Sequence, residues 1–509
     1  MTGRRSRLLV ALAVVAWSAC AGPATTSKVP ERQARVTFLH INDAYELEAV
    51  DGGRRGGMAR LATLVKRLRA RHPAAVFTHG GDAISPSVMS SYLRGEQMIA
   101  ALNAIGLDVA TIGNHEFDFG PAVLRQRMSE SKFTWLSANV LDRATGRPFG
   151  GARAEMLVTA GGVRVGFFGL TMTQTQTSSS PGDTVEFRAP AAAALETSRR
   201  LRAAGAQLVA AVTHQDMAAD RALAAAPGME VDVILGGHEH EPLVAEEGRT
   251  LIVKAGSDAR YLVQVDVWLD ARGNLVERSW TFHEVSARVP PDAEVASLAR
   301  RYEVGLSREL DRVIGRTAVA LEARQTPLRT RESNLGNFIA DAMRARAGAD
   351  VALVNGGGIR TDRVIAPGPL SRRDVHGLLP FTNAVVTLEM RGLQLRAALE
   401  EGLAGIEREA GGFLQVSGLR VVHDLGRPPG HRVREVAVGG APLDGHRLYT
   451  VATIDYLARG GDGFTAFRPA PRLVSETSGP QLADVVLEAI LAQGTIAPGI
   501  DGRLTAAPR

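Results

Sequence analysis

A single cysteine, Cys20, stands in 509 residues, so no internal disulfide forms and the fold cannot rest on a disulfide framework. The chain also lacks a strong charge of either sign. Its formal charge is +5, and setting aside Arg4, Arg5 and Arg7 of the N-terminal segment leaves +2. With no Lys/Arg cluster elsewhere, there is no case for a nucleic-acid partner. No internal repeat and no long low-complexity tract are present. What is there is 45% apolar and 22% charged residues, the composition of a soluble globular protein. At this length one ordinary core is exceeded, and two or three domains are expected.

The first twenty residues read as a targeting segment. "MTGRRSR" is a positive n-region, and "LLVALAVVAW" (8–17) is an h-region of secretory length, too short to span a bilayer. Small residues and then Cys20 follow. The position of Cys20 resembles that of the lipidated cysteine of bacterial lipoproteins, although Trp17 stands where that signal prefers a small aliphatic residue. The expectation is an exported protein of the periplasm or cell envelope, either freed by ordinary cleavage or attached to the membrane through Cys20. Residues 21–34 then read as a polar tether.

From residue 35 to 288, short apolar runs alternate with helical stretches. "RVTFLH", "AAVFTH", "VATIG", "TWLSANV", "VRVGFFGL", "LVAAVTH", "VDVILGG", "LIVKAG" and "LVQVDVWL" read as strands, several buried on both faces. "MARLATLVKRLRARH" and "GEQMIAALNAIG" read as helices. This is the pattern of an α/β layered domain. Residues 289–315 follow a Pro-Pro turn and read as a connecting amphipathic helix. A second, smaller α/β region runs from 316 to 509, with a helix "NLGNFIADAMRARAG", a strand "DVALVN" and a C-terminal helix "GPQLADVVLEAILAQG".

The polar residues of the first region fall in a pattern. Asp43 follows "RVTFLHIN", Asp82 follows "AAVFT", Asn114 and His115 follow "VATI", His214 follows "LVAAVT", and His238 and His240 follow "VDVIL". Five strands thus end in carboxylates, imidazoles or an amide at the edge where α/β sheets form ligand sites. Such groups, once converged, bind metal rather than repel or lie idle. His40 and His79 precede two of these residues but lie within strands, and they read as structural.

This series resembles the calcineurin-like metallophosphoesterases and, within them, the exported 5'-nucleotidase family. The resemblance implies an N-terminal α/β/β/α four-layer domain followed by a nucleotide-specificity domain, and two divalent ions (Zn, Mn, Co or Mg). It implies that Asp82 bridges the ions, that Asp43 and His240 hold the first, and that Asn114, His214 and His238 hold the second. His115, oriented by Asp118, would stabilise the transferred phosphoryl group or protonate the leaving oxygen. Its titration range suits that work. Two departures stand out: Tyr45 occupies a position where the family has His, and Pro86 one where glycine is common. A branch of the family pairs this Tyr with this Ser-Pro-Ser. A phenol is a poorer ligand than imidazole, so the first ion is left a protein ligand short, completed by water, or held more weakly.

In the second region, "NGGGIR" and "IDYLARGGDGF" are glycine-rich turns that let backbone approach a ligand closely. Arg360 offers a planar fork for phosphate or carboxylate. The resemblance implies that Phe381 and Tyr456 sandwich a nucleobase, that Arg329 and Arg360 contact phosphate, Asn355 the base, and Asp462 the ribose. The expected activity is release of phosphate from nucleoside 5'-monophosphates. 2',3'-Cyclic nucleotides or nucleotide sugars are the alternative substrates, and a nucleotide-binding protein weakened in catalysis by the change at 45 is the alternative of another class.

Overall fold

The computed structural model describes residues 32–475 and 479–507. The targeting segment, Cys20 and most of the tether lie outside the described residues. Among the described residues no helix is long and apolar enough to cross a membrane.

Two six-stranded sheets form the N-terminal domain. In the first, Ala34–Ile41, Val76–His79, Val109–Thr111 and Thr134–Leu136 run parallel in that order. Tyr261–Leu269 and Leu275–Glu284 extend it antiparallel. In the second, Val163–Thr171, Leu208–His214, Val233–Gly237 and Thr250–Ala255 are parallel, with antiparallel edges Glu155–Ala160 and Pro242–Glu247. The alternation of side chains along each strand sorts the apolar groups into layers. Val36, Phe38, Phe167, Ala210 and Leu235 fill the space between the sheets. Leu39 and Ile41 face outward beneath Met58–Arg71 and Glu96–Ile105. Phe168, Val209 and Ile234 face Pro190–Ala203 on the other side. The result is the α/β/β/α order that the family resemblance implied, and each fully buried Leu or Phe in it contributes about 1.5–3 kcal/mol.

Within these two sheets, three strands escaped the sequence reading: Glu155–Ala160, Pro242–Glu247 and Leu275–Glu284. All are edge strands with partly exposed, charged residues, so none makes a continuous apolar run. The connecting helix is Ala293–Leu310, with Asp292 capping its N-terminus. It ends sooner than its pattern suggested, because Val313–Thr317 leaves the helix to pair with Gly368–Ser371. Its buried Val295 and Ala299 belong to the N-terminal core.

The C-terminal domain centres on a five-stranded sheet in the order Leu414–Ser417, Val351–Asn355, Leu448–Ile454, Val385–Arg391, Arg472–Val474. Asn334–Ala347, capped by Ser333 and closed by left-handed Gly348, packs on it, and Leu482–Gln493 packs against that helix and against Val313–Thr317.

Candidate active site

The parallel strands deliver their ends to one edge. There Asp43, Asp82 and His214, all buried, hold ligating atoms within 4.8 Å of one another. His214 Nδ1 donates to the Gly80 carbonyl at 2.8 Å, which aims Nε2 at Asn114 Oδ1 (3.0 Å) and Asp82 Oδ2 (3.1 Å). Burial alone would lower the His214 pKa, but the Asp82 carboxylate outweighs it and raises the value to about 10. The cluster therefore draws positive charge strongly, and its mixed carboxylate, amide and imidazole donors suit a divalent cation.

Asp43 lies beside it. The Tyr45 hydroxyl donates to Asp43 Oδ1 at 2.9 Å and sits 3.0 Å from His240 Nε2. The His238 backbone N–H donates to Asp43 Oδ2 at 2.9 Å. The His238 ring lies 5.2 Å from that of His214, and its Nε2 is 3.4 Å from Asp216 Oδ1. Asn42 joins the two sheets by accepting from Ala255 N at 2.6 Å and donating to Asp43 Oδ2 at 2.8 Å. That is why a buried amide ends the first strand.

Local backbone geometry is unusual at three of these residues. Asp43, Asp82 and His238 adopt φ of 50°, 63° and 83°, left-handed conformations that cluster at functional sites. Gly113 lets the second and third loops meet, since a Cβ there would stand 2.2 Å from Asp82 Oδ1.

His115 is fixed at two points. Its N–H donates to Asp82 Oδ1 at 2.8 Å, and its Nδ1 bonds Asp118 Oδ2 at 2.7 Å. Asp118 Oδ1 in turn accepts from Ser179 Oγ at 2.8 Å. Burial disfavours the imidazolium, but Asp118 and Asp82 raise its pKa to about 8.

The sequence reading missed Ser179 and two further groups. Buried Glu116 accepts from Asp82 N (2.9 Å), Ala83 N (2.6 Å) and Gly113 N (2.5 Å), so one carboxylate sets two loops. Buried Lys254 pairs with Asp220 at 3.0 Å and with Glu239, and donates to the carbonyls of Gln215 and Gly237. It anchors the turn that carries His238 and His240. Lys254→Met leaves two acids without their cation, a loss of about 3–5 kcal/mol in unfolding free energy by chemical denaturation. His40 and His79 are structural, as read: His40 spans Thr78 and the Gly236 carbonyl at 2.9 Å each, and His79 Nδ1 accepts from Gly81 N.

Across the cleft, one cavity of about 190 Å³ is lined by Asn114, His115 and Asp118 from the first domain and by Arg329, Asn355, Arg360, Phe381, Tyr456 and Asp462 from the second. Phe381 stacks on the His115 ring at 5.7 Å and 22°, and the Arg360 guanidinium lies 5.6 Å from the Phe381 centroid. Asp462 accepts from Tyr456 Oη at 2.8 Å and from Asn355 Nδ2 at 2.7 Å. Burial and then Arg360 lower the Arg329 pKa to about 10, so the cavity that both guanidinium groups line favours an anion.

A two-sheet sandwich with these donors at its strand ends defines the class of calcineurin-like phosphoesterases, and that family's pattern matches residues 36–242. The pattern of the 5'-nucleotidase C-terminal domain matches residues 313–469. A solved structure of a 5'-nucleotidase precursor from Thermus thermophilus superposes with a TM-score of 0.84 at 31% identity, over 93% of this chain and 100% of that one. A snake venom 5'-nucleotidase from Gloydius brevicauda is 28% identical over 92% of this chain and 88% of its own length. The 5'-nucleotidase of Homo sapiens is 27% identical over 98% of this chain and 93% of its own. The chain belongs to the 5'-nucleotidase family and is a phosphoric ester hydrolase.

Proposed function

We propose that the protein hydrolyses nucleoside 5'-monophosphates to nucleoside and phosphate, using two divalent cations, outside the cytoplasm. The cavity that joins His115 to Tyr456 and Asp462 carries this reading, because it sets phosphoryl chemistry and nucleoside recognition in one space. Asp43, Asp82 and His240 are assigned to one cation, and Asp82, Asn114, His214 and His238 to the other. Such a pair supplies neutralisation of phosphate charge and a more acidic attacking water. The protein's own groups do the rest. Asp118 holds the Nδ1 proton of His115, leaving Nε2 to protonate the leaving ribose oxygen or steady the phosphoryl oxygens. Arg329 and Arg360 orient the anion, Asn355 the base, and Asp462 the ribose hydroxyls. Phe381 and Tyr456 offer ring faces to the base, whose stacking is strong but tolerant of base identity.

Phosphate release from a panel of nucleotides, with different divalent metals, tests the reading. Tyr456→Ala removes roughly 1–3 kcal/mol of stacking and lowers kcat/KM for AMP or UMP by about one to two orders of magnitude. p-Nitrophenyl phosphate, which has no base, suffers much less. Equal losses on both substrates leave Tyr456 a packing residue only. The N-terminal segment supports export, with lipid attachment at Cys20 as its finer form.

A further inference from the structure

We propose that Tyr45 makes the two cation sites unequal: one ion is held tightly at Asn114, His214, His238 and Asp82, and the other weakly and exchangeably. The proposal rests on the dinuclear reading above and adds a ranking to it. The phenol oxygen lies 2.9 Å from Asp43 Oδ1, 3.0 Å from His240 Nε2 and 3.5 Å from Asp82 Oδ2. Those are the three donors assigned to the first ion, so Tyr45 already ties them together.

A cation bound by these donors needs about 2.0–2.2 Å to each, within the space the hydroxyl now shares with them. Its arrival must displace the hydroxyl, breaking two hydrogen bonds, because a neutral phenol is a weak donor compared with imidazole and does not take the place of a ligand. Displacement has little room. Tyr45 is only 7% exposed, and its ring meets those of His240 at 5.5 Å and His115 at 6.4 Å, both edge-on. In the second donor set, Asn114 Oδ1 and Asp82 Oδ2 lie 3.0 and 3.1 Å from His214 Nε2, and of these groups the phenol reaches only Asp82, at 3.5 Å. The weak ion then makes turnover follow the divalent cation concentration around the protein, while the tight ion stays with the chain.

The test uses the full mature chain, stripped with chelator and titrated with Mn²⁺ alone, read by calorimetry and by bound Mn²⁺ per chain after equilibrium dialysis. The expected result is one tight ion and a second at least about tenfold weaker. Tyr45→His should bring the two dissociation constants to within about threefold. Tyr45→Phe should retain two-step binding, since it removes a competitor and no ligand. Two ions of equal affinity in the unmodified chain overturn the proposal, as does loss of an ion in Tyr45→Phe, which would make the phenol a ligand. Mn²⁺ binding that survives unchanged in Asp82→Asn removes the dinuclear reading itself.

Discussion

Asp82→Asn should bring phosphate release down to background and empty both of the proposed cation sites together. Asp82 is buried at the centre of the cluster, with one oxygen 3.1 Å from His214 Nε2 and the other accepting the His115 N–H at 2.8 Å. An amide of the same shape keeps the packing but surrenders the negative charge that draws cations in. It also turns a donor toward His115 or toward His214, where an acceptor stood on both sides. Two-metal clamps contribute several kcal/mol of charge stabilisation, so the expected loss is at least about 10³-fold in kcat. Metal content by atomic absorption and phosphate release are measured on the same preparation. A variant that keeps its ions and most of its turnover contradicts the assignment of Asp82 as the shared ligand.

The second large effect separates chemistry from metal binding. His115→Ala should lower kcat by about 10²-fold or more, the scale for losing a general acid or charge stabiliser. Metal content should stay near that of the parent. The side chain is held by Asp118, which Ser179 supports, and only the backbone N–H of His115 bonds Asp82, so loss of the imidazole leaves the proposed ligands in place. Loss of metal in step with activity would instead class His115 as a ligand. Bound metal and kcat read together decide between the two.

The fold and the outline of this site were legible in the sequence for one physical reason. Parallel strands buried on both faces are near-continuous apolar runs, and a carboxylate, amide or imidazole ending such a run stands out. Asp43, Asp82, Asn114, His214 and His238 all declared themselves in that way. Edge strands such as Leu275–Glu284 did not, because their exposed face dilutes the pattern. The supporting residues were illegible for another reason. Ser179 reaches Asp118 across 61 positions, Lys254 reaches Gln215 across 39, and Glu116 reaches Asp82 across 34. Only the tertiary fold makes them neighbours. The competition of Tyr45 for three donors also needed coordinates, since the substitution by itself left several outcomes open.

The ring of Phe381, from one domain, rests flat against the imidazole of His115, from the other. On the roles proposed here, base preference and bond cleavage share a wall, and neither is inherited independently. A lineage that retunes position 381 for a new base would then also disturb the imidazole proposed to meet the leaving group. Divergence of substrate in this chain should then arise first at Tyr456 and Asn355, which line the same cavity and bond Asp462 rather than the stacked pair.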